Sequence, residues 1–494
     1  MPRNGFRLTG LQTASKLFFP SSQMTFDYPV SLRWLDEELP RMAQIFNKTV
    51  FCAAFALLLT TAVGKINAQT APSPERDQLL NGLTILYSNR AGDPNVLLKL
   101  RIRSGAAFDL AGKAGTMALL ADAMFPESST REYVSEELGG RLDVSTTYDS
   151  IDVAISGKSS ELERMIQLLR NAILSVNLSP ESVATLREAR IKQLAEKSSK
   201  SEAVDRAVAS RLFGSYPYGS PAQGTTATVA KVERADLMFA RERFLNAENA
   251  TLVVIGGVEK ARLMRALRQI LGPWQKGDRI VPATFRQPGP VDDRVLLIND
   301  PGARNVEIRI AVRGLSRSDP DAPAAALVAH VANERWRAAV PELSTTSYVR
   351  FDAYALSGIV MFGAVVPATS ASKAIASAKE IMTSLAESGI RDAEMPGTIL
   401  PSNRPSAEIL WATSWLDAET YKLPPDKRND AGRMTPADLK RAATRLFGNS
   451  APVAVVVQGN AAELQGQLGY KIETRSLTSD PTPATTPAPP GKKP

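Results

Sequence analysis

The 494-residue chain carries one histidine, His330, and one cysteine, Cys52. No site within the chain can combine two imidazoles or two thiolates. That excludes three-histidine and four-cysteine zinc sites and internal disulfides. A Ser–His–Asp triad would have to use His330, and its setting, LVAHVAN, reads as a packed helix face. The phosphate-cradling pattern G-x-x-x-x-G-K-[ST], the dinucleotide fingerprint G-x-G-x-x-G and the nucleophile elbow G-x-S-x-G do not occur. Gly256 and Gly257 follow an apolar run but lack the later glycine, so they read as a turn. The formal charge of +8 comes without a Lys/Arg run of five and without aromatic–basic interleaving. This is a moderately basic folded protein with no nucleic-acid footprint.

The elements around these residues form an internal repeat. Asn95–Gly105 reads NVLLKLRIRSG, and Asn305–Leu315, at an offset of 210, reads NVEIRIAVRGL. Val96, Leu98, Leu100 and Ile102 alternate with Leu97, Lys99, Arg101 and Arg103; the second copy alternates in the same way. Period two predicts strands with one buried and one wet face. The copies also end alike. RADL at 234 matches PADL at 436, Arg243–Leu245 matches Arg445–Phe447, and ATLVVIGG at 250 matches PVAVVVQG at 452, each at an offset of 202. Between the strands, Leu162, Met165, Ile166, Leu169, Ile173 and Val176 share one helical face. Ser179–Pro180–Glu181 and Thr435–Pro436–Ala437–Asp438 are helix starts, with a capping hydroxyl, proline at the first position and an acid in the first turn. The expected architecture is α+β: two tandem domains, 76–272 and 293–470, each a mixed sheet with helices on one face. A Pro/Gly-rich linker, 273–292, joins them.

Val50–Val63 is almost continuously apolar. It is too short for the roughly 30 Å hydrocarbon core. With Arg41 and Lys48 before it and Ile66–Ala68 as a cleavage site, residues 42–68 read as a signal peptide that leaves no stable transmembrane segment. Residues 1–41 then read as a misassigned start, with Met42 the true one, or as a genuine extension with an uncleaved anchor. Cys52 falls inside the apolar run and would be lost on export. At the other end, 476–494 is rich in Pro and Thr and reads as a disordered tail.

From about residue 76 to 470 the chain resembles the insulinase/pitrilysin metallopeptidase family, which includes mitochondrial processing peptidase. The resemblance rests on Asn81–Leu86 (NGLTIL), Gly115–Phe125 (GTMALLADAMF), Leu138–Thr147 (LGGRLDVSTT) and Leu212–Pro221 (LFGSYPYGSP). The family writes the second segment G-x-A-H-F-L-E-H-M-L-F. Its two histidines bind zinc and its glutamate is the general base on the zinc-bound water. On this resemblance Ala118, Ala121 and Asp122 occupy the His, Glu and His positions, so all three catalytic groups are missing. Glu188 stands near the position of the family's third ligand. The second copy of the family supplies an Arg, a Tyr seven residues later and a Gly-rich loop that bind the substrate backbone. Tyr348 aligns with the Tyr, but Pro341 stands where the Arg belongs, and AHVANERW (329–336) replaces the loop. Arg337 or Arg350 could supply the guanidinium.

What the resemblance implies is a pseudo-peptidase: no cofactor in this chain, zinc only in a partner, and no hydrolysis by the chain alone. It implies a secreted, periplasmic subunit of a heterodimer, paired with a zinc-bearing family member to enclose extended peptides. The alternative is a stand-alone envelope scaffold that binds peptide or protein with no protease partner.

Overall fold

The computed structural model describes residues 73–197, 199–277, 285–343, 346–395, 406–423, 434–448, 451 and 453–476. The expected signal peptide, Cys52 and nearly all of the Pro/Thr-rich tail lie outside them.

Twelve strands form two six-stranded sheets among the described residues. The first holds β1 (Glu75–Gln78), β2 (Thr84–Asn89), β3 (Asn95–Ile102), β4 (Arg141–Thr146), β5 (Ile151–Lys158) and β6 (Ala250–Gly256), in the order β1-β2-β6-β3-β5-β4. The second holds β7 (Val295–Asn299), β8 (Val306–Arg313), β9 (Tyr348–Asp352), β10 (Ile359–Val366), β11 (Val453–Gly459) and β12 (Ile472–Ser476), in the order β12-β7-β11-β8-β10-β9. The orders coincide strand for strand except at one edge. There β1 runs antiparallel to β2, whereas β12, from the far end of the chain, runs parallel to β7. The second sheet therefore continues past residue 470.

Pairing also corrects the repeat by one residue. Leu98 lies opposite Val254, and Ile308 lies opposite Val457. The first pair of residues is offset by 210, but the last strands are offset by 457 − 254 = 203, not 202. The shift matters because side chains alternate between faces. Leu252 and Val254 face the first core, as Val455 and Val457 face the second. At 202, core residues would be matched to the opposite face.

The principal helices are α1 (Thr116–Met124), α2 (Leu162–Leu174), α3 (Pro180–Lys197), α4 (Lys200–Phe213), α5 (Arg234–Phe244), α6 (Lys260–Leu271), α7 (Ala322–Ala339), α8 (Ala371–Ser388), α9 (Ala407–Tyr421) and α10 (Pro436–Phe447). Their starts follow local chemistry. Thr435 accepts from the Asp438 amide while the Asp438 carboxylate accepts from the Thr435 amide, a reciprocal cap at the start of α10. The apolar stripe of α2 packs Leu162, Met165, Ile166, Leu169 and Ile173 into the first core. No described helix is long and apolar enough to cross a membrane.

Each sheet has its own helices on one face, as expected. The other face is not wet. Helix α4 crosses to the second sheet, where Val204, Val208, Leu212 and Phe213 pack against Leu296, Ala311, Met361 and Val456. Helix α9 returns to the first sheet, where Ala412, Trp415 and Leu416 pack against Leu86, Leu97, Val253 and Ile255. Lys99 and Arg101, which alternation placed in water, are therefore buried, and so is Arg309. Buried charges need partners, and the neighbouring strand and the exchanged helices bring them. The Arg101 guanidinium makes two bonds to Asp152, at 2.8 and 2.7 Å, and one of 2.6 Å to Asp417 on α9. Lys99 reaches the Thr413 hydroxyl at 2.6 Å. In the second sheet Arg309 pairs with Asp205 on α4.

Candidate functional site

Helix α1 begins at Gly115, whose φ of 97° is in the left-handed region; a Cβ there would lie 2.8 Å from Val229. The Asp109 carboxylate caps the helix from outside, accepting the amides of Gly115 at 2.7 Å and Met117 at 2.9 Å. Burial pushes the Asp109 carboxyl up to about 7, against the opposing pull of those amides. The helix is nearly all buried. Ala118 and Ala121, which the resemblance sets at the first His and the Glu of the zinc motif, are packed methyl groups, 1% and 3% exposed.

Asp122, at the second His, has a partner. Nη1 of Arg190 on α3 bonds its two oxygens at 3.2 and 3.0 Å. The Arg190 side chain is 7% exposed and that of Asp122 37%. Burial raises the Asp122 carboxyl above its ordinary value, and the Arg190 charge opposes the rise. Nη2 of Arg190 donates to the carbonyl and side-chain oxygens of Gln223, and the Gln223 amide donates to the Thr146 carbonyl at 2.7 Å. Thr146 ends β4, the edge strand of the first sheet. A short chain of hydrogen bonds thus links the motif helix to a sheet edge.

Glu188 is not part of this arrangement. It is exposed on α3. Two residues span 200° of helix, so Glu188 and Arg190 point in nearly opposite directions. The signal that could have located Arg190 is its spacing from Val183. Both are buried, seven residues apart on one face of α3.

In the second half, Tyr348 opens the edge strand β9. Its ring lies over Gly363, where a Cβ would come within 2.3 Å. The guanidinium of Arg309 stands 5.5 Å from the ring centroid and that of Arg350 5.3 Å. The Tyr348 hydroxyl donates to Asp205 at 3.4 Å, and burial raises its pKa. Of the two candidate arginines, Arg350 is the one against the ring. Arg337 instead holds Ser347, through its hydroxyl at 3.0 Å and its carbonyl at 2.9 Å. Arg309 and Asp205 were not foreseen. His330 is partly exposed on α7, outside both clusters.

Among the described residues no group of three or more His, Cys, Asp or Glu side chains is placed to hold a metal ion. At the motif itself the donor set is one carboxylate already bound by a guanidinium. A zinc site needs three or four ligands, and its charge would meet that of Arg190. These residues do not fit zinc.

Residues 84–226 match the family model "Insulinase (Peptidase family M16)", and residues 231–399 match "Peptidase M16 inactive domain". Subunit 1 of the human mitochondrial cytochrome b-c1 complex is 23% identical over 272 residues, 53% of this chain and 56% of that one. The match thus spans about half the length of that relative. Among solved structures, a peptidase M16 inactive domain from Pseudomonas fluorescens superposes with a TM-score of 0.68 at 16% identity, covering 79% of this chain and 98% of that one. The first half of the periplasmic protease PqqL from Escherichia coli superposes with a TM-score of 0.61 at 15% identity, covering 82% and 100%. At these identities the superpositions speak to fold, and they agree with the two mixed-sheet halves. Two models of one family cover more than half of the sequence, and the chain belongs to the insulinase (M16) family of peptidases.

Proposed function

We propose that this chain is a non-catalytic subunit of a secreted, periplasmic insulinase-family zinc peptidase. It helps enclose extended peptides and position them for a partner chain that carries the zinc. The reading is carried by one observation: the Arg190–Asp122 ion pair, on a motif helix whose other two functional positions are buried alanines. A helix so packed offers no base and no second ligand. Both mixed-sheet halves of the family fold are nevertheless present. An extended peptide can add to the β4 edge through main-chain hydrogen bonds, and Tyr348 with Arg350 can contact it from the second half. The periplasmic PqqL half-structure supports the compartment.

The test is to tag the C-terminus, isolate the chain natively from envelope extract and identify what comes with it. The expected result is an equimolar chain carrying H-x-x-E-H whose cleavage of an unstructured peptide rises when this chain is added. Chelator-sensitive hydrolysis by the isolated chain would overturn the reading. The similarity to a cytochrome b-c1 subunit favours a second one, a scaffold of the envelope with no protease partner. Recovery of the chain alone, or with unrelated envelope proteins, would support that instead.

A further inference from the structure

The first half has a basic end that no contact described so far uses. Strand β1 and the turn after it lie along α6. At one end Lys260 binds Glu75 at 2.9 Å and approaches Asp77 at 3.7 Å. At the other, the Asn81 amide donates to the carbonyls of Leu271 at 2.8 Å and Trp274 at 3.1 Å, fixing the turn on the end of α6. Leu80, at the tip of that turn, is fully exposed. Its neighbours Leu79 and Leu83 are buried, so Leu80 is the apolar residue of this turn left outside the core.

Arginines line the two helices at this end of the first half. Helices α2 and α6 pack side by side with their first turns level, since Arg262 binds Glu163 at 2.6 Å and the carbonyl of Ser159 at 3.2 Å. Strands β5 and β6, which precede them, are both antiparallel to β3, so the two helices run in the same direction. Arg170 on α2 and Arg265 and Arg268 on α6 then come level with one another, toward the end of α6 that carries Leu80. Arg265 and Arg268 are exposed and Arg170 is partly so. None of the three has an acidic partner among the described residues, whereas Arg164 and Arg262 on the first turns are paired with Glu161 and Glu163. Lys276 adds a further exposed cation just beyond α6. The Cα, Cβ and Cγ of Glu248 pack beneath Gly82.

We propose that this end of the first half docks on an anionic phospholipid surface. Leu80 enters the headgroup–acyl boundary, and Arg170, Arg265 and Arg268 meet the phosphates. A single exposed leucine is ordinary on a soluble protein. Beside three unpaired arginines it has the composition of an interfacial anchor, with apolar insertion and charge attraction acting together. Attraction of this kind weakens with salt.

The exported form, Gln69 to Pro494, is sedimented with phosphatidylglycerol-containing vesicles and with phosphatidylcholine vesicles, so that the apolar Val50–Val63 run cannot contribute. The expected result is salt-sensitive binding to the first and little to the second. Leu80→Ser should weaken binding about tenfold. Arg265→Ser with Arg268→Ser should weaken it roughly thirtyfold. Arg164→Ser, whose guanidinium is already held by Glu161, should change it little. All four side chains lie at the surface, so thermal unfolding of the variants should match the wild type. The proposal is overturned if the wild type does not sediment with anionic vesicles, if it binds both vesicle types equally, or if the Leu80 and double-arginine variants bind like the wild type. The last outcome would assign the affinity to another part of the chain. Retention on soluble heparin without vesicle binding would equally overturn it, in favour of an anionic polymer.

Discussion

Arg190 stands where its positive charge answers Asp122, and it is buried enough that its charge is poorly screened. Two consequences follow for any attempt to rebuild the zinc motif. Ala118→His, Ala121→Glu and Asp122→His together restore the motif's own residues, but they leave a guanidinium facing the metal. Repulsion between a dication and a guanidinium about 5 Å apart amounts to several kcal/mol even at an effective dielectric near 20. The triple variant should therefore bind zinc weakly, and adding Arg190→Glu should raise the affinity at least about a hundredfold. Competition against a chelator of known affinity measures both. The comparison also decides between the two α3 positions. Glu188 is already present in the triple variant, so tight zinc binding without the fourth change would mean that Glu188, not residue 190, reaches the metal.

At the scale of elements, the exchanged helices decide which residues are inside. Arg101 is held between Asp152 on β5 and Asp417 on α9, and Arg317 also pairs with Asp417. Arg101→Met should cost about 3–5 kcal/mol, because it leaves two carboxylates confined without their shared cation. Combining it with Asp152→Leu and Asp417→Leu should recover only part of that loss, because buried Lys99 keeps Thr413 but loses both nearby carboxylates. Arg317 is 39% exposed, so it can turn to solvent once Asp417 is gone. Urea unfolding of the single and triple variants measures both steps. The same seam explains what could be read in advance. The strands, their apolar faces and the capped helix starts are local patterns, and they were legible. So was the repeat, except for the one residue added between α10 and β11, which falls in a connection with no periodicity. The charged face of β3 was misread because Lys99 and Arg101 look like solvated residues when only their own strand is considered. What buries them comes from α9, more than three hundred residues later. Arg190 was missed because a family motif directs attention to acids, and the burial spacing from Val183 is a weak signal beside it.

At the scale of the whole chain, exchange of α4 and α9 means that neither half contains its own complete core. The first half alone would expose Leu86, Leu97, Val253 and Ile255 together with Lys99, stripped of Thr413, and Arg101, held by Asp152 but no longer by Asp417. The second alone would expose Leu296, Ala311, Met361 and Val456 around Arg309. Loops reinforce the exchange. Asp149, in the β4–β5 turn, accepts from the hydroxyls of Tyr218 at 3.3 Å and Tyr421 at 3.0 Å and from the Ala355 amide at 2.8 Å, the last two from the second half. Independent domains with small polar interfaces unfold separately, whereas halves that share their cores should not. The full chain should therefore show one calorimetric transition, with van't Hoff and calorimetric enthalpies in agreement. Residues 73–277 produced alone should bind a hydrophobic dye and lack near-ultraviolet circular dichroism, and both defects should be corrected by adding residues 285–476 in trans. Two resolved transitions in the full chain, or a first half that folds without its partner, would mean that α9 covers the first sheet without completing it. A single transition would mean that the two halves do not part as folded units, because separating them would expose both sheets at once.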